Sequence, residues 1–366
     1  MKYRLLSVFF VTIIFGCQDQ SKSGYTSTSK MPDSLDDPFP ILTGDMFFQL
    51  QVNNNTDLYR VNYKRLELPS DIFVSDIPTI GRIRITPDNN YFIYQNSINP
   101  SLEFNDFSSD KFSVDVPEPL MYEDISWTSD GNFGYFCADL KVFELDLKNR
   151  SVRIISNASN VNFHFYSVGV SPDNQFLVLI GKPGDKPAEC YVVPKNFQPI
   201  ALDGNKLYWQ DDNLDIDNYG ITFIDDYRFI FISLDEVNLG DISTKKISTV
   251  STVEATDTGV EAYSLSLDKQ KIIVRTENRL YLAFVDDWSP KIFLEDKLLS
   301  SYFDFYKGIV WSADSKYFAV ASDAYAWTLS IYLYSIDTNT RWKLAETPGD
   351  LLLGLIWAHE NTTRGE

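Results

Sequence analysis

The stretch Ile309-Val310-Trp311-Ser312-Ala313-Asp314-Ser315-Lys316-Tyr317-Phe318-Ala319-Val320 decides the fold. It contains a short apolar run, a polar turn and a second apolar run, which is the pattern of a β-hairpin. Related stretches recur along the chain, and each has an aspartate in its turn: Asp88, Asp130, Asp173, Asp226, Asp268 and Asp314. Successive aspartates are 42, 43, 53, 42 and 46 residues apart. Repeats of about 40–50 residues with several short strands each are typical of β-propeller blades.

Each repeat divides into the four strands of one blade. The third repeat predicts strands at Asp124–Trp127, Phe133–Cys137, Val142–Leu147 and Val152–Ile155. The last repeat predicts strands at Gly308–Trp311, Tyr317–Ala321, Ser330–Ile336 and Trp342–Ala345. The longest interval, in the fifth repeat, contains an insertion at Asn205–Gly220 that we expect to form a loop.

The two ends of the repeat region complement each other. The first repeat offers only three strands, at Met46–Val52, Asp57–Asn62 and Leu66–Pro69, whereas Leu351–Trp357 is a surplus strand at the end. Pairing the surplus strand with the first repeat would close the ring and remove an exposed sheet edge. The sequence therefore predicts an all-β fold, a seven-bladed propeller of four-stranded antiparallel blades over residues 39–360. Six and eight blades are the alternatives.

The turn residues carry a family resemblance. Pro87 and Pro172 preset a turn, and the aspartate that follows each accepts hydrogen bonds from nearby backbone amides, so we interpret these aspartates as structural. At these residues the chain resembles the WD40-like propeller repeats of the bacterial TolB family, whose consensus is Trp-Ser-Pro-Asp-Gly. The copies at Trp127 and Trp311 keep the Trp and Asp, whereas those at Asp88 and Asp173 keep the Pro and Asp. The resemblance implies a propeller that makes protein contacts in the cell envelope, and it does not extend to identity with TolB, which has a further domain before its propeller.

The N-terminus predicts a membrane anchor. Residues 1–16 combine Lys2 and Arg4 with an apolar run too short to span a bilayer, which is typical of a signal peptide. The next residues, Ile14-Phe15-Gly16-Cys17, resemble the lipobox of bacterial lipoproteins, which implies cleavage before Cys17 and its lipidation; an ordinary signal peptide is the alternative. Residues 17–38 are polar and predict a flexible tether, and 361–366 form a short tail. In such sorting, Gln18 after the cysteine favours the outer membrane.

Charge and cysteine content limit the partners. The formal net charge of −19 disfavours binding to nucleic acid and repels anionic lipid headgroups, so we expect membrane contact only through the lipid anchor. The charge keeps the protein soluble or offers a surface for cations or a basic partner. Cys137 and Cys190 match no metal motif. They are either two buried thiols or the two halves of one disulfide.

Motifs for catalysis are absent from the sequence. There is no Gly-x-Ser-x-Gly elbow, phosphate-binding loop or His-Glu-x-x-His motif, and His164 and His359 lie in different repeats. The one calcium-like pattern is Asp211, Asn213, Asp215 and Asp217 on the insertion, but an EF-hand would need Gly and Glu where Ile216 and Thr222 stand. We therefore expect no cofactor, with Ca²⁺ on this insertion as the weak alternative.

The sequence favours a binding protein over an enzyme. We expect a non-catalytic, membrane-tethered propeller that serves as an interaction or scaffold module in the cell envelope, monomeric by default. Loops at one end of the ring would contact an envelope protein or a glycan. The candidate contact residues lie on the insertion: Trp209, Asp211, Asp212, Asp215 and Asp217. The alternative is a glycoside hydrolase or glycan-binding propeller that uses acids near the central channel.

Overall fold

The structure is a computed structural model of the chain. It describes residues 39–52, 55–61, 71–78, 83–96, 99–106, 111–116, 125–138, 141–157, 163–183, 188–195, 207, 220–233, 236–250, 260, 262–276, 279–288, 291–295, 308–324, 328–348 and 351–358. The signal peptide, Cys17, the tether and the C-terminal tail predicted from the sequence lie outside these residues.

The described strands form seven antiparallel sheets, and each sheet is one blade. The first blade contains β1 (Asp45–Val52), β2 (Asn55–Arg60), β3 (Asp71–Ile77) and β27 (Leu351–Ala358). The second contains β4 (Arg84–Ile85), β5 (Tyr91–Gln95), β6 (Ser101–Asp106) and β7 (Lys111–Asp115). The third contains β8 (Ser126–Trp127), β9 (Phe133–Ala138), β10 (Lys141–Asp146) and β11 (Ser151–Asn157). The fourth contains β12 (Phe163–Val170), β13 (Phe176–Pro183) and β14 (Glu189–Pro194).

The remaining blades repeat the same plan. The fifth contains β15 (Thr222–Phe223), β16 (Arg228–Ser233), β17 (Glu236–Asp241) and β18 (Lys246–Thr249). The sixth contains β19 (Ala262–Leu265), β20 (Lys271–Arg275), β21 (Arg279–Phe284) and β22 (Lys291–Glu295). The seventh contains β23 (Ile309–Trp311), β24 (Tyr317–Ala324), β25 (Thr328–Ser335) and β26 (Arg341–Pro348). We call the strands of each blade A to D from the ring axis outward, so that β27, β4, β8, β12, β15, β19 and β23 are the A strands.

The fourth blade is the one in which only three strands are described. At its outer edge the amide of Leu207 donates a hydrogen bond of 2.8 Å to the carbonyl of Cys190 on β14. A fourth, outer strand would donate backbone hydrogen bonds to β14 in the same way. The described part of this blade therefore matches the arrangement of the other blades.

The head and tail of the propeller pair as the sequence predicts. Strand β27 is the A strand of the first blade and runs antiparallel to β1, with Met46 opposite Trp357 and Phe48 opposite Leu355. The indole Nε1–H of Trp357 also donates to the carbonyl of Thr43 at 3.0 Å. This pairing confirms the predicted closure and the seven-bladed propeller.

One predicted strand of the first blade is misplaced. The sequence predicts its outer strand at Leu66–Pro69, which lies outside the described residues, whereas the structure has β3 at Asp71–Ile77. The segment in β3 is richer in β-branched and aromatic residues, and a proline such as Pro69 cannot donate to the strand ladder.

The hydrophobic core formed by the described residues is divided into seven clusters, one between each pair of neighbouring blades. The cluster that closes the ring packs Met46 and Trp357 of the first blade against Ala319 and Leu333 of the seventh. Because each blade buries both faces, its strands carry almost continuous apolar runs rather than alternating ones. Trp127, Trp311 and Trp357 lie at equivalent places in these clusters.

The two described cysteines are separate buried thiols. Cys137 packs between the third and fourth blades, and Cys190 packs between the fourth and fifth. Burial raises the pKa of both thiols. The disulfide alternative is therefore wrong.

Within the described residues no helix is long and apolar enough to cross a bilayer.

Candidate functional site: the A–B end of the ring

The repeated aspartates close the turns between the A and B strands. In the third blade, the hydroxyl of Thr128 donates to Asp130 Oδ1 at 2.5 Å, and the amide of Asn132 donates to the same oxygen at 3.1 Å. The amide of Phe133 then donates to the Thr128 hydroxyl at 3.1 Å. The same hydroxyl–aspartate arrangement recurs at Asp88, Asp173, Asp268 and Asp314. The structural interpretation of these aspartates is confirmed.

The fifth blade departs from this pattern. Its turn aspartate is Asp225 rather than the predicted Asp226, because Asp225 Oδ1 accepts hydrogen bonds from the amides of Tyr227 at 2.9 Å and Arg228 at 2.7 Å. Asp225 also forms an ion pair with Arg228 at 2.7 Å. In the other blades a serine or threonine lies two residues before the turn aspartate, but the fifth blade has Phe223 at that position. The sequence pattern is therefore weaker here, and the predicted aspartate is wrong by one residue.

All A–B turns lie at the same end of the ring, and so do the turns between the C and D strands. The register of the sixth blade shows this, since Lys271, which follows the A–B turn, is paired with Phe284, which precedes the C–D turn. We call this end the A–B end. Loops gathered at one end of a rigid ring are the usual place for binding residues.

Neighbouring A–B turns are interlocked by the residue after the aspartate. This residue has a positive φ in five blades, at Asn89, Gly131, Asn174, Lys269 and Ser315. In the seventh blade, the Ser315 hydroxyl reaches the sixth blade and accepts a hydrogen bond of 3.0 Å from the amide of Asp268. In the sixth blade, burial lowers the pKa of Lys269 while Asp226 and Asp225 of the fifth blade raise it in part. The side chain at this position therefore faces the turn of the preceding blade.

The third blade lacks such a side chain, because the position is Gly131. A Cβ placed there would point at Pro87 of the second blade, at 3.8 Å from its Cβ. A cleft of about 290 Å³ opens at this junction. Its lining is Asp88, Tyr91, Phe112, Asp130, Gly131, Asn132, Leu147, Lys148 and Arg150. The cleft lies between the A–B turns of the second and third blades and the C–D turn of the third.

One wall of the cleft is a stack of two rings and a guanidinium group. Phe104, which is fully buried, stacks on Phe112 with ring centroids 4.5 Å apart. The guanidinium of Arg150 lies over the ring of Phe112 at 4.0 Å from its centroid. Cation–π contact and the planar shape of guanidinium favour this placement of the cation over the ring.

The facing side of the cleft carries carboxylates. Hydrogen bonds from Thr128 and then Asn132 lower the pKa of Asp130 to about 2, and the charge of Lys195 contributes to the lowering. The Asp130 side chain therefore stays ionised throughout the physiological range. Asp88 of the second blade accepts hydrogen bonds from the Thr86 hydroxyl and from Asn90.

A second feature of the A–B end is a set of three exposed apolar side chains, Tyr227, Leu267 and Phe284, which we call the apolar patch. These side chains are 52%, 51% and 43% exposed, respectively. Tyr227 lies in the A–B turn of the fifth blade and Leu267 in that of the sixth, while Phe284 ends the C strand of the sixth blade. The patch therefore spans two neighbouring blades.

The contact residues predicted from the sequence are not among those that the structure describes. Trp209, Asp211, Asp212, Asn213, Asp215 and Asp217 all lie outside the described residues, so their role as contact or calcium residues stays a prediction. Where the insertion is described, Gly220 accepts a hydrogen bond of 2.5 Å from the hydroxyl of Tyr263. Trp288 is half-buried against the cluster between the fifth and sixth blades. The described residues contain no group of three or more His, Cys, Asp or Glu side chains that could hold a metal ion.

Sequence reasoning missed both features of the A–B end. The signal for the apolar patch was the presence of large apolar residues in or beside polar turns, where side chains are usually exposed: Tyr227, Leu267 and Phe284. The signal for the cleft was the single glycine among the residues that follow the turn aspartates.

Comparisons with known proteins show the fold and nothing finer. No family model matches the chain, and no curated protein matches its sequence. A solved protein from Lactobacillus plantarum is 11% identical, with a TM-score of 0.56 over 86% of this chain and 99% of that chain. The dihydro-heme d1 dehydrogenase NirN, solved in complex with DHE, is 13% identical, with a TM-score of 0.55 over 90% of this chain and 79% of that chain.

TolB from Acinetobacter baumannii is also similar in structure. It is 14% identical, with a TM-score of 0.47 over 86% of this chain and 82% of that chain. At these identities none of the matches carries an activity over to this chain.

Proposed function

We propose that the protein is a non-catalytic binding module of the cell envelope, held to a membrane through lipidated Cys17. In this proposal, it docks a partner protein on the apolar patch of Tyr227, Leu267 and Phe284. The observation that carries the proposal is that these three exposed side chains lie at the loop-bearing end of two neighbouring blades. Large aromatic and aliphatic side chains that are exposed at one end of a protein are typical anchors of protein interfaces.

The overall charge favours a partner with basic groups, because the chain has a formal net charge of −19. Within the two turns of the patch, Asp225 and Asp268 are paired with Arg228 and Lys271 at 2.7 Å each. The attraction therefore comes from the acidic chain as a whole rather than from these turns. Opposite charges on two partners speed association and select partners more than they add affinity.

The glycoside hydrolase alternative finds no support among the described carboxyl groups. Hydrogen bonds lower the pKa of Asp130; in Asp225, Asp241 and Asp268, burial acts to raise the pKa, but hydrogen bonds more than offset it. The general acid of a glycosidase needs a raised pKa instead.

A crosslinking experiment in the native host tests the proposal. The bait is the full chain carrying Tyr227→Ser, Leu267→Ser and Phe284→Ser, compared with wild type. We expect the triple variant to lose at least about tenfold of the crosslinked partner, because each truncated anchor in an interface costs on the order of 1 kcal/mol or more.

The matched control changes exposed apolar residues elsewhere. Ile72→Ser and Ile154→Ser alter side chains that are 56% and 48% exposed on the outer strands β3 and β11. The control should retain the partner; equal loss in both variants would argue against the patch.

A Cys17→Ser chain, fractionated in parallel, should move from the membrane to the soluble fraction, and its retention in the membrane would overturn the anchor.

A further inference from the structure

The chain enters the propeller at the A–B end. Asp45, which begins β1, lies opposite Ala358, which ends β27, and this is where the A strands end and the B strands begin. The tether predicted at residues 17–38 therefore joins the propeller at the same end that carries the apolar patch.

The entry segment is held in place by contacts with the closing blades. The ring of Phe39 meets that of Trp342 on β26 edge to face, with centroids 6.0 Å apart. Leu42 packs against the cluster between the seventh and first blades, and the carbonyl of Thr43 accepts the indole hydrogen bond of Trp357. The point at which the predicted tether meets the propeller is therefore fixed at the A–B end.

Ile41 lies between these contacts and is itself uncovered. Its side chain is 98% exposed, the largest fraction among the large hydrophobic side chains that the structure describes. With the apolar patch, it brings to four the exposed large apolar side chains of the A–B end. The other two in the described residues, Ile72 and Ile154, lie on outer strands.

The length of the predicted tether limits what can dock at this end. It has about 20 residues, and a flexible chain of that length has a root-mean-square end-to-end distance of about 25 Å. A globular domain of about 100 residues has a radius of gyration of about 13 Å, so it is about 30 Å or more across. A soluble domain would fill the whole space between the propeller and the bilayer, whereas a protein embedded in that bilayer needs only a short segment to reach the A–B end.

Charge favours a protein over bare lipid as the occupant. The formal net charge of −19 repels anionic headgroups and attracts basic protein segments. We propose that the partner docked at the A–B end is a protein embedded in the same membrane as the lipid anchor, and that its short segment of apolar and basic side chains contacts Ile41 as well as the apolar patch. This inference rests on the proposed function, including lipidation of Cys17.

Site-specific photo-crosslinking of the full chain in the native host tests the contact. A photoreactive amino acid replaces Leu267 of the patch in one chain, Ile41 in a second, and Ile154 of β11 in a control. We expect the first two to capture the same protein, which stays in the membrane after a high-salt wash. The control should capture at least about tenfold less of it.

Changing the tether distinguishes a membrane partner from a soluble one. Sixty Gly/Ser residues inserted between Lys30 and Met31 increase the reach of the tether about twofold. The concentration of the A–B end at the membrane surface should fall accordingly, and the crosslinked yield should fall about twofold or more. The same insert placed after Glu366 is the matched control and should leave the yield unchanged, whereas Cys17→Ser should lower it at least about tenfold.

The outcomes separate this inference from the proposed function. A partner that is lost from the triple serine variant of the patch, yet is captured equally by the Cys17→Ser and long-tether chains, would leave the proposed function standing and overturn the inference. Capture of lipid alone at Ile41, or of a different protein there than at Leu267, would also overturn it. Capture of no protein by any of the chains would overturn both.

Discussion

At the scale of single residues, the space between blades is filled so closely that some positions admit no side chain. Gly240 on β17 is paired with Phe229 on β16, whose ring lies directly over it. A Cβ at Gly240 would come within 2.2–2.6 Å of three ring atoms of Phe229. Since Phe229 is fully buried between the fourth and fifth blades, the ring has no free space into which it could move.

We predict that Gly240→Ala lowers the free energy of unfolding by about 1–3 kcal/mol, the usual cost of overpacking a core. Urea denaturation followed by tryptophan fluorescence measures the difference. Ser248→Ala, an exposed position on β18 of the same blade, is the control and should change stability little. Equal stability of Gly240→Ala and the control would mean that the ring of Phe229 yields without cost.

A second residue-scale prediction concerns pH. The pKa of Asp130 is about 2 in the folded protein because Thr128 and Asn132 donate to it, whereas an unfolded aspartate has a pKa of about 3.9. A lowered folded pKa contributes stability that is fully present above the unfolded value and is lost as the pH falls through the folded one. Thermal melting should therefore show a larger difference between wild type and Asp130→Asn at pH 7 than at pH 2.

The size of this effect should be modest, because Asp130 is exposed and its interactions are screened by solvent. Asp314→Asn in the seventh blade provides a comparison at an equivalent turn. A wild type–Asp130→Asn difference that stays constant from pH 7 to pH 2 would contradict the assignment.

At the scale of the elements, the β1–β27 pair decides whether the blades form a closed ring. The sequence predicted it from a count of strands, since the first repeat lacked one strand and Leu351–Trp357 was left over. The outer strand of the first blade could not be placed in the same way, because an edge strand pairs on one side only and the strand count does not fix its position. Its position at Asp71–Ile77 depends on hydrogen bonds to β2 rather than on the repeat.

The register of the closing pair gives an element-scale prediction. Asp45 lies opposite Ala358, so Asp45→Cys combined with Ala358→Cys should form a disulfide on mild oxidation. The link joins the first and last strands and should raise the melting temperature.

Gel mobility with and without reductant measures the link, and each single cysteine variant is a control that should not shift. Cys137 and Cys190 should not interfere, since both are buried. Free thiols in the folded double variant would contradict the register.

At the scale of the whole molecule, the fold could be predicted because its evidence is periodic. Each repeat independently predicts one blade. The two errors, at Asp226 and at the outer strand of the first blade, therefore left the predicted propeller unchanged. The candidate sites could not be predicted, because each is formed by residues from different blades. Tyr227 and Leu267 are 40 residues apart in the chain yet lie in the turns of neighbouring blades, and the cleft exists because Gly131 has no side chain to fill it.

The closing pair also has a mechanical consequence. Strands β1 and β27 are antiparallel, and the chain enters β1 and leaves β27 at their shared end, where Asp45 faces Ala358. A force applied between these two points would load the pair like a zipper, so that its hydrogen bonds break one after another instead of together. The ring is thus closed against thermal opening by the packing of Trp357 and its neighbours, yet it has one seam where a pull on both chain ends would open it first.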